Sequence, residues 1–329
     1  MRRHKRKRRT ESGTSLRNPI QYPHHKTILN GQSVIRMKLS YLTQPISDQE
    51  RSERLFSGEL LIYRQIPAML ELIEQADIQL KAALDGLEPD TAQYHFDRDE
   101  FLNRTGLVQT SFRKDARMRT LFFEVLKQCG VNIDATYYDH FPMRIVPFAN
   151  SHDGAHRAAI GHHRDSWGSN IHCQQNWWAP LYTLEAQRSI TFYPDYWHQP
   201  LTNNTEQWRF SDYLASRQQG APERAVDYPS APGPTETVDE GGARQIMLNP
   251  GDVLNFASAH LHASAINTTT RTRFSVEMRT ICENDLKAGR YAPNVDNDGV
   301  PPMYSWFKAI NSLKPLEVAD PREPSVSPL

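Results

Sequence analysis

The fold of this 329-residue chain is decided by the stretch NPGDVLNFASAHLHASAINTTTRTRFSVEMRT, residues 249–280. Its β-branched and aromatic residues come in short runs divided by turn-forming residues, which is typical of consecutive β-strands. Successive side chains of a strand point to opposite faces. His260, His262 and Ser264 therefore share one predicted face, and Arg271 and Arg273 share a face of the next run. We expect these polar faces to line a cavity, while the apolar faces pack against another layer.

Similar runs extend outward from this stretch. Between Tyr137 and Met278 they read YYDHFPMRIVPF, IGHHRDSW, NWWAPLYTL, SITFYP, RQIML, DVLNF, AHLHASAI and RFSVEM. Turn residues separate them, as in an all-β sandwich or barrel. Residues 200–244 interrupt the series with APGP and GG and are interpreted as an insertion, with one short helix expected from Trp208 to Ser216.

The part of the chain before these runs has a helical pattern. Apolar residues recur at helical spacing from Ser47 to Leu84, and Ser47 or Asp48 is the expected N-cap. A second helix is predicted from Phe112 to Gln128, ending at Gly130. The predicted fold is mainly β with a helical N-terminal layer: a double-stranded β-helix, or cupin-like jelly roll. The predicted parts are a basic tail (1–25), the helical layer (26–130), the jelly-roll core (131–285, with insertion 200–244) and a C-terminal extension (286–329). A short helix is expected in this extension, from Tyr304 to Leu313.

Composition restricts the function only weakly. Lys plus Arg and Asp plus Glu number 38 each, so net charge indicates no partner. The basic run Arg2 to Arg9 is interpreted as a solvated tail, which makes a nucleic-acid partner unlikely. The 3 cysteines imply no disulfide framework and favour a reducing compartment. No apolar run suits a membrane span or signal peptide, so we expect a cytoplasmic protein with a small-molecule substrate. The sequence does not set its oligomeric state.

A candidate metal site lies in the segment Gly161-His162-His163-Arg164-Asp165. Iron(II) that activates dioxygen is held by two histidines and one carboxylate, which leave three coordination positions open. On a strand, His163 and Asp165 would share a face. His95-Phe96-Asp97 has the same spacing but lies in a charged, helix-flanked stretch, and we interpret it as a coincidence.

The downstream residues make the pattern specific. It consists of His163-x-Asp165, then His262-Ala-Ser264-x-x-Asn267, then Arg273 eleven residues after His262. This resembles the iron(II)/2-oxoglutarate-dependent oxygenases, in particular their phytanoyl-CoA dioxygenase-like branch. The resemblance covers about Ile160 to Met278. It implies that His163, Asp165 and His262 bind Fe(2+), that Arg273 binds the distal carboxylate of 2-oxoglutarate, and that Ser264 assists Arg273.

The implied reaction couples decarboxylation of 2-oxoglutarate, giving succinate and CO2, to oxidation of a second substrate by O2, most often hydroxylation. The forked donors of Arg273 suit a carboxylate better than a lysine would. We also expect Asn176 to hydrogen-bond the co-substrate. Asp165 argues against halogenase chemistry, because the halogenases that this pattern resembles have a small residue in its place.

Several alternatives stay open at this stage. His260 and Arg271 are also eleven residues apart and could replace His262 and Arg273. A cupin metalloenzyme without 2-oxoglutarate could use both His260 and His262 as ligands. A non-catalytic jelly-roll binding protein would retain the pattern without the metal. A chromatin-type demethylase would be expected to anchor 2-oxoglutarate with lysine.

Overall fold

The computed structural model describes residues 37–148, 160–212, 231–299 and 302–318, and the backbone of two short strands, Thr27–Leu29 (β1) and Gln32–Val34 (β2). These two strands pair antiparallel and belong to a first unit that ends at Ile35. All elements discussed below belong to the second unit, Arg36–Leu329. The predicted basic tail lies outside the described residues.

The second unit alternates helices and strands. Its α-helices within the described ranges are Asp48–Phe56 (α1), Pro67–Ala83 (α2), Arg98–Lys114 (α3), Ala116–Gln128 (α4), Asp165–Ser169 (α5) and Glu283–Ala288 (α6). Its strands are Leu39–Leu42 (β3), Leu60–Tyr63 (β4), Thr136–Tyr138 (β5), Met143–Val146 (β6), Gln174–Pro180 (β7), Ile190–Phe192 (β8), Arg244–Ile246 (β9), Val253–Ala257 (β10), His262–Ser264 (β11), Arg273–Cys282 (β12) and Lys308–Ala309 (β13).

The strands form a main sheet and a smaller one. The main sheet has 8 strands in the order β13-β5-β12-β7-β10-β4-β3, with β6 also paired to β12. Its pairings are antiparallel except for the parallel pair β3–β4. The smaller sheet has the order β11-β8-β9. The fold is therefore mixed and sheet-rich.

Strand β4 shows how the layers pack. Leu61 and Tyr63 join a hydrophobic cluster with side chains of α2 and α4, while Leu60 and Ile62 join a second cluster with Phe192 of the smaller sheet. Because successive side chains of a strand point to opposite faces, one face of the main sheet is covered by helices and the other by the smaller sheet. Burial of apolar side chains on both faces is the main force that holds these layers together.

The predicted helix from Ser47 to Leu84 is wrong in its middle. Ser47 does cap α1, since its hydroxyl accepts from the Glu50 amide at 3.2 Å. The chain then turns at Gly58, at φ 93°, and enters β4 before α2 begins. A short run of consecutive buried apolar residues fits a two-sided strand as well as a helix, so periodicity did not separate them. The predicted helical layer thus contributes β3 and β4 to the main sheet.

Other boundaries also differ from the predictions. The helix predicted from Phe112 to Gln128 is two helices, because Asp115 ends α3 and caps α4 by accepting from the Arg117 amide at 2.8 Å. Its predicted end is confirmed, with Gly130 at φ 88°. In the C-terminal extension, the short helix expected from Tyr304 to Leu313 is instead a 3₁₀ turn followed by β13.

The insertion is described at residues 200–212 and 231–244 only. The helix predicted from Trp208 to Ser216 lies partly outside the described residues. Among the helices in the described ranges, none is both long and apolar enough to cross a lipid bilayer.

Candidate metal centre and its cavity

Two histidines distant in sequence are joined by a backbone bridge. The amide of His163 donates to the carbonyl of His262 at 3.0 Å, and the reverse bond has the same length. This antiparallel bridge pairs His163 with the first residue of β11. The two imidazole ring centroids are 4.2 Å apart. Backbone pairing therefore places the rings side by side.

Asp165 reaches the histidines by a turn rather than along a strand. The predicted strand through IGHHRDSW is wrong, because Asp165 begins α5 directly after the bridge. The buried guanidinium of Arg164 holds this turn in place. It pairs with Asp296 at 3.1 Å and donates to the carbonyls of Ala259 and Tyr196 at 2.5 and 2.7 Å. A buried cation needs such partners, so the turn depends on the ion pair with Asp296.

These elements bring the predicted metal ligands together. One ligand atom from each of His163, Asp165 and His262 lies within 4.8 Å of the others. Asp165 Oδ2 is 3.5 Å from His262 Nε2. The ring atom Nδ1 of His163 lies 2.8 Å from the Gly161 carbonyl, and that of His262 lies 3.0 Å from the His260 carbonyl. A carbonyl oxygen can only accept, so both Nδ1 atoms carry protons and both Nε2 lone pairs are free for a metal.

The protonation state of His163 also suits a metal ligand. Burial lowers its pKa to about 4, and the neighbouring His262 contributes in the same direction. His163 is therefore neutral at physiological pH, the form in which histidine binds metals. With two neutral imidazoles and one carboxylate, this set of donors fits a borderline divalent ion such as iron(II).

Arg273 lies in the same cavity, almost fully buried at 2% exposure. Its Nη1 donates to the Ser189 carbonyl and its Nη2 to Ser264 Oγ, each at 3.1 Å, while Nε has no hydrogen-bond partner. No carboxylate in the described ranges forms an ion pair with it. Burial, with the nearby charge of Arg144, lowers its pKa to about 9. An unpaired buried cation is costly, and a ligand carboxylate would supply the missing partner.

The side chain of Asn176 forms hydrogen bonds within the candidate metal centre. Its Nδ2 donates to Asp165 Oδ2 at 2.6 Å, and its Oδ1 accepts from Gln174 at 2.9 Å. Its side-chain donor is therefore directed at the carboxylate of the candidate metal centre. Asn176 does line the cavity, but its hydrogen bonds favour orientation of Asp165 over contact with a co-substrate.

The structure separates the two possible registers. The ring of His260 packs on Trp197 with centroids 4.3 Å apart, and burial pushes its pKa well below the usual value. Arg271 is exposed and pairs with Asp90 at 2.7 Å. Neither His260 nor Arg271 lines the cavity that contains His262 and Arg273.

One wall of this cavity, whose volume is about 1210 Å³, is charged and contains Asp139, Arg144, Glu277 and Arg279. The sequence did not predict how these side chains pair. Arg144 and Glu277 form a bidentate pair with one bond of 3.1 Å, and Arg279 Nε donates to Asp139 Oδ2 at 2.5 Å. The alternation along β12 places Glu277 and Arg279 on the same face as Arg273. Their partners come from β6 and the turn after β5, a pairing that no local pattern reveals.

Aromatic side chains from two loops cover another part of the cavity. Trp208 and Phe210 come from the insertion and Trp306 from the C-terminal extension, and all three line it. The rings of Phe210 and Trp306 meet edge to face with centroids 4.0 Å apart. The insertion and the extension thus both border the cavity that contains the candidate metal centre.

The sequence matches no protein-family model, and no curated protein matches it either. Solved structures of similar shape include the non-heme monooxygenase ThoJ in its apo form, with a TM-score of 0.42 and 14% identity over 70% of this chain and 76% of that one. EvdO2 from Micromonospora carbonacea var. aurantiaca, complexed with 2-oxoglutarate, has a TM-score of 0.38 and 14% identity over 73% and 93% of the two chains. SnoK, a non-heme alpha ketoglutarate dependent carbocyclase from nogalamycin biosynthesis, has a TM-score of 0.33 and 13% identity over 60% of this chain and 72% of that one.

Proposed function

We propose that this chain is a mononuclear iron(II)- and 2-oxoglutarate-dependent dioxygenase that oxidises a small molecule. The observation that carries the proposal is the presence, in one cavity, of a two-histidine, one-carboxylate cluster and a buried arginine that forms an ion pair with no carboxylate among the described residues. The first suits iron(II). The second suits the far end of a dicarboxylate co-substrate.

In this proposal His163, Asp165 and His262 hold the metal on one side. Bound iron(II) would supply the sites at which the 2-oxo acid and dioxygen bind and react. The single carboxylate leaves the centre with a net charge of about +1 from the ion and its ligand, which attracts the dianionic co-substrate. Asn176 holds the carboxylate of Asp165 through a 2.6 Å hydrogen bond, and such outer hydrogen bonds orient metal ligands.

Arg273 and Ser264 would bind the distal carboxylate together. Because Arg273 Nη2 donates to Ser264 Oγ, the hydroxyl proton of Ser264 is free to point toward the ligand. The unpartnered Nε of Arg273 is a further donor. Asn176 was expected to contact the co-substrate, and we now assign it to Asp165.

The arrangement of the two sheets also fits the proposed oxygenase function. The main sheet and the smaller sheet, packed face to face through a hydrophobic cluster, correspond to a jelly roll of the phytanoyl-CoA dioxygenase-like kind. The metal ligands lie at β11 and the segment bridged to it. The cavity suits a small-molecule substrate, hydroxylation is the proposed outcome, and a cytoplasmic location stays a prediction.

One observation speaks against the cupin alternative, in which His260 and His262 both bind the metal. His260 is committed to an aromatic environment of Trp197 and Phe192. It is not part of the cluster formed by His163, Asp165 and His262.

The proposal is tested by measuring succinate formed from 2-oxoglutarate in the presence of iron(II), oxygen and a panel of candidate small molecules. We expect iron-dependent succinate formation by the wild-type protein and none by Asp165→Ala. Equal succinate formation by the two proteins would contradict the proposal, because the reaction would then not depend on the cluster.

A further inference from the structure

Arg279 lies between two carboxylates on the charged wall of the cavity. Its Nη1 is 3.6 Å from Asp165 Oδ1, and its Nε donates to Asp139 Oδ2 at 2.5 Å. One of these carboxylates belongs to the candidate metal centre and the other is outside it. Arg279 is therefore a direct connection between the proposed ligand Asp165 and the wall.

Three contacts fix the position of Arg279 relative to Asp139. The Asp139 amide donates to the Arg279 carbonyl at 3.2 Å, the Arg279 amide donates to Asp139 Oδ1 at 3.1 Å, and the two side chains are hydrogen-bonded as well. His140 Nδ1 lies 2.8 Å from Asp139 Oδ2, and the guanidinium carbon of Arg279 is 6.0 Å from the ring centroid of Trp306. Because these contacts hold the Arg279 side chain in place, it can restrict the position of the nearby Asp165 carboxylate.

The two oxygens of Asp165 face different partners. Oδ2 is the oxygen near His262 Nε2 and accepts from Asn176, whereas Oδ1 faces Arg279. A metal between the histidines would thus be bound through Oδ2. A carboxylate can bind a cation through one oxygen or through both, and a second bond through Oδ1 would occupy one of the positions that an oxygenase of this type needs open.

We propose that Arg279 is a positioning residue that holds Oδ1 of Asp165 away from the metal, so that Asp165 remains a one-oxygen ligand. The inference rests on the proposed function and deepens it. The attraction between Arg279 and Oδ1 acts in a partly buried site, where it is screened less than in water. The consequence is that the co-substrate finds its two coordination positions free.

Arg144 provides a matched control. It is an arginine on the same wall, it also pairs with one carboxylate, Glu277, and it also lines the cavity. It forms no hydrogen bond or ion pair with Asp165 within the described ranges. Arg144→Gln therefore breaks an ion pair of the wall but leaves the contacts of Asp165 with Asn176 and Arg279 in place.

The experiment compares the full-length wild type, Arg279→Gln, Arg279→Lys and Arg144→Gln under anaerobic conditions. Iron(II) affinity, 2-oxoglutarate affinity and the visible absorption of the iron–2-oxoglutarate chelate are measured for each. In Arg279→Gln we expect iron to bind but 2-oxoglutarate affinity to fall roughly 10- to 100-fold, the range typical of residues that orient a metal ligand, with a shifted or weakened chelate band. Arg279→Lys should recover most of the band, because an ammonium group also attracts Oδ1.

Arg279→Gln leaves the buried Asp139 without its cation, which could unfold the protein. The double variant Asp139→Asn/Arg279→Gln removes both charges of the pair and should show the same loss of 2-oxoglutarate affinity. Wild-type affinity and band in either variant, or equal losses in Arg144→Gln, would overturn the role of Arg279. A wild-type protein without any chelate band would instead contradict the proposed function itself.

Discussion

Two segments of this chain contain His-x-Asp, and they have different structures. In the first, His95 ends the 3₁₀ turn Ala92–His95, and Asp97 caps α3 by accepting from the Glu100 amide at 2.8 Å. In the second, His163 is bridged to His262, and Asp165 turns toward both histidines. His95 and Asp97 are exposed, whereas His163 is buried.

The difference shows that spacing alone does not make a metal site. Asp97 uses its carboxylate to satisfy a free backbone amide at a helix start, which is the commonest role for aspartate there. Asp165 also begins a helix, but its carboxylate accepts from Asn176 and faces the two imidazoles. What separates the segments is a third residue, His262, which backbone pairing brings in from another part of the chain.

The largest expected effect is the loss of iron binding when a proposed ligand of the second segment, or its partner His262, is removed. Asp165→Ala, His163→Ala and His262→Ala each remove one of the three proposed ligands, so iron(II) affinity should fall by more than about 100-fold, beyond the effect of changing an outer residue. Anaerobic titration of iron(II) into each folded variant measures this. His95→Ala and Asp97→Ala serve as controls in the first segment and should bind iron like the wild type. Equal losses of iron(II) affinity in the variants of both segments would contradict the claim that only the second segment binds the metal.

The sequence predicted the members of the candidate site better than the path of the chain that assembles it. Alternation along β11 and β12 placed His262, Ser264 and Arg273 toward one cavity, and the structure brings them together there. The turn at Arg164 was missed, because it depends on an ion pair with Asp296, far along the chain.

The same limit applies to the fold and to the charged wall. Strand β4 was hidden within a helical pattern, because four consecutive buried residues satisfy helix and strand equally well. The partner of Arg144 lies on another strand, and the partner of Arg279 lies in the turn after β5. Local alternation predicts the face on which a residue lies but not the strand that pairs with it, since that pairing is set by packing of the whole sheet.

The second prediction sharpens the comparison by testing what accompanies the second segment, an anion anchor. Arg273→Lys keeps the charge but loses the forked donors, so 2-oxoglutarate affinity should fall by about 2–4 kcal/mol, roughly 30- to 800-fold, while iron still binds. Calorimetric titration of 2-oxoglutarate into the anaerobic iron(II) protein measures the change. Arg271→Lys, at the exposed pair with Asp90, should have little effect. The reverse pattern would move the anchor to Arg271 and the third ligand to His260.

The smallest expected effect belongs to the first segment. Asp97→Ala removes the cap of α3, so the free energy of unfolding should fall by about 1 kcal/mol, within the usual range for an N-cap. Urea denaturation followed by circular dichroism measures this loss. Asp97→Asn is the control, because asparagine is a comparable cap, and it should restore most of the stability. A loss in Asp97→Ala that Asp97→Asn does not restore would show that Asp97 acts through its charge rather than as a cap.

The central claim is that His163, Asp165 and His262 hold one iron(II) whose remaining positions accept a 2-oxo acid. It is tested most directly by anaerobic titration of 2-oxoglutarate into the wild-type protein with one equivalent of iron(II). The account predicts a weak visible absorption band of a bidentate chelate, saturating at about one 2-oxoglutarate per chain, and its loss in His262→Ala but not in His260→Ala. Absence of the band from the fully reduced, iron-loaded wild type would contradict the account.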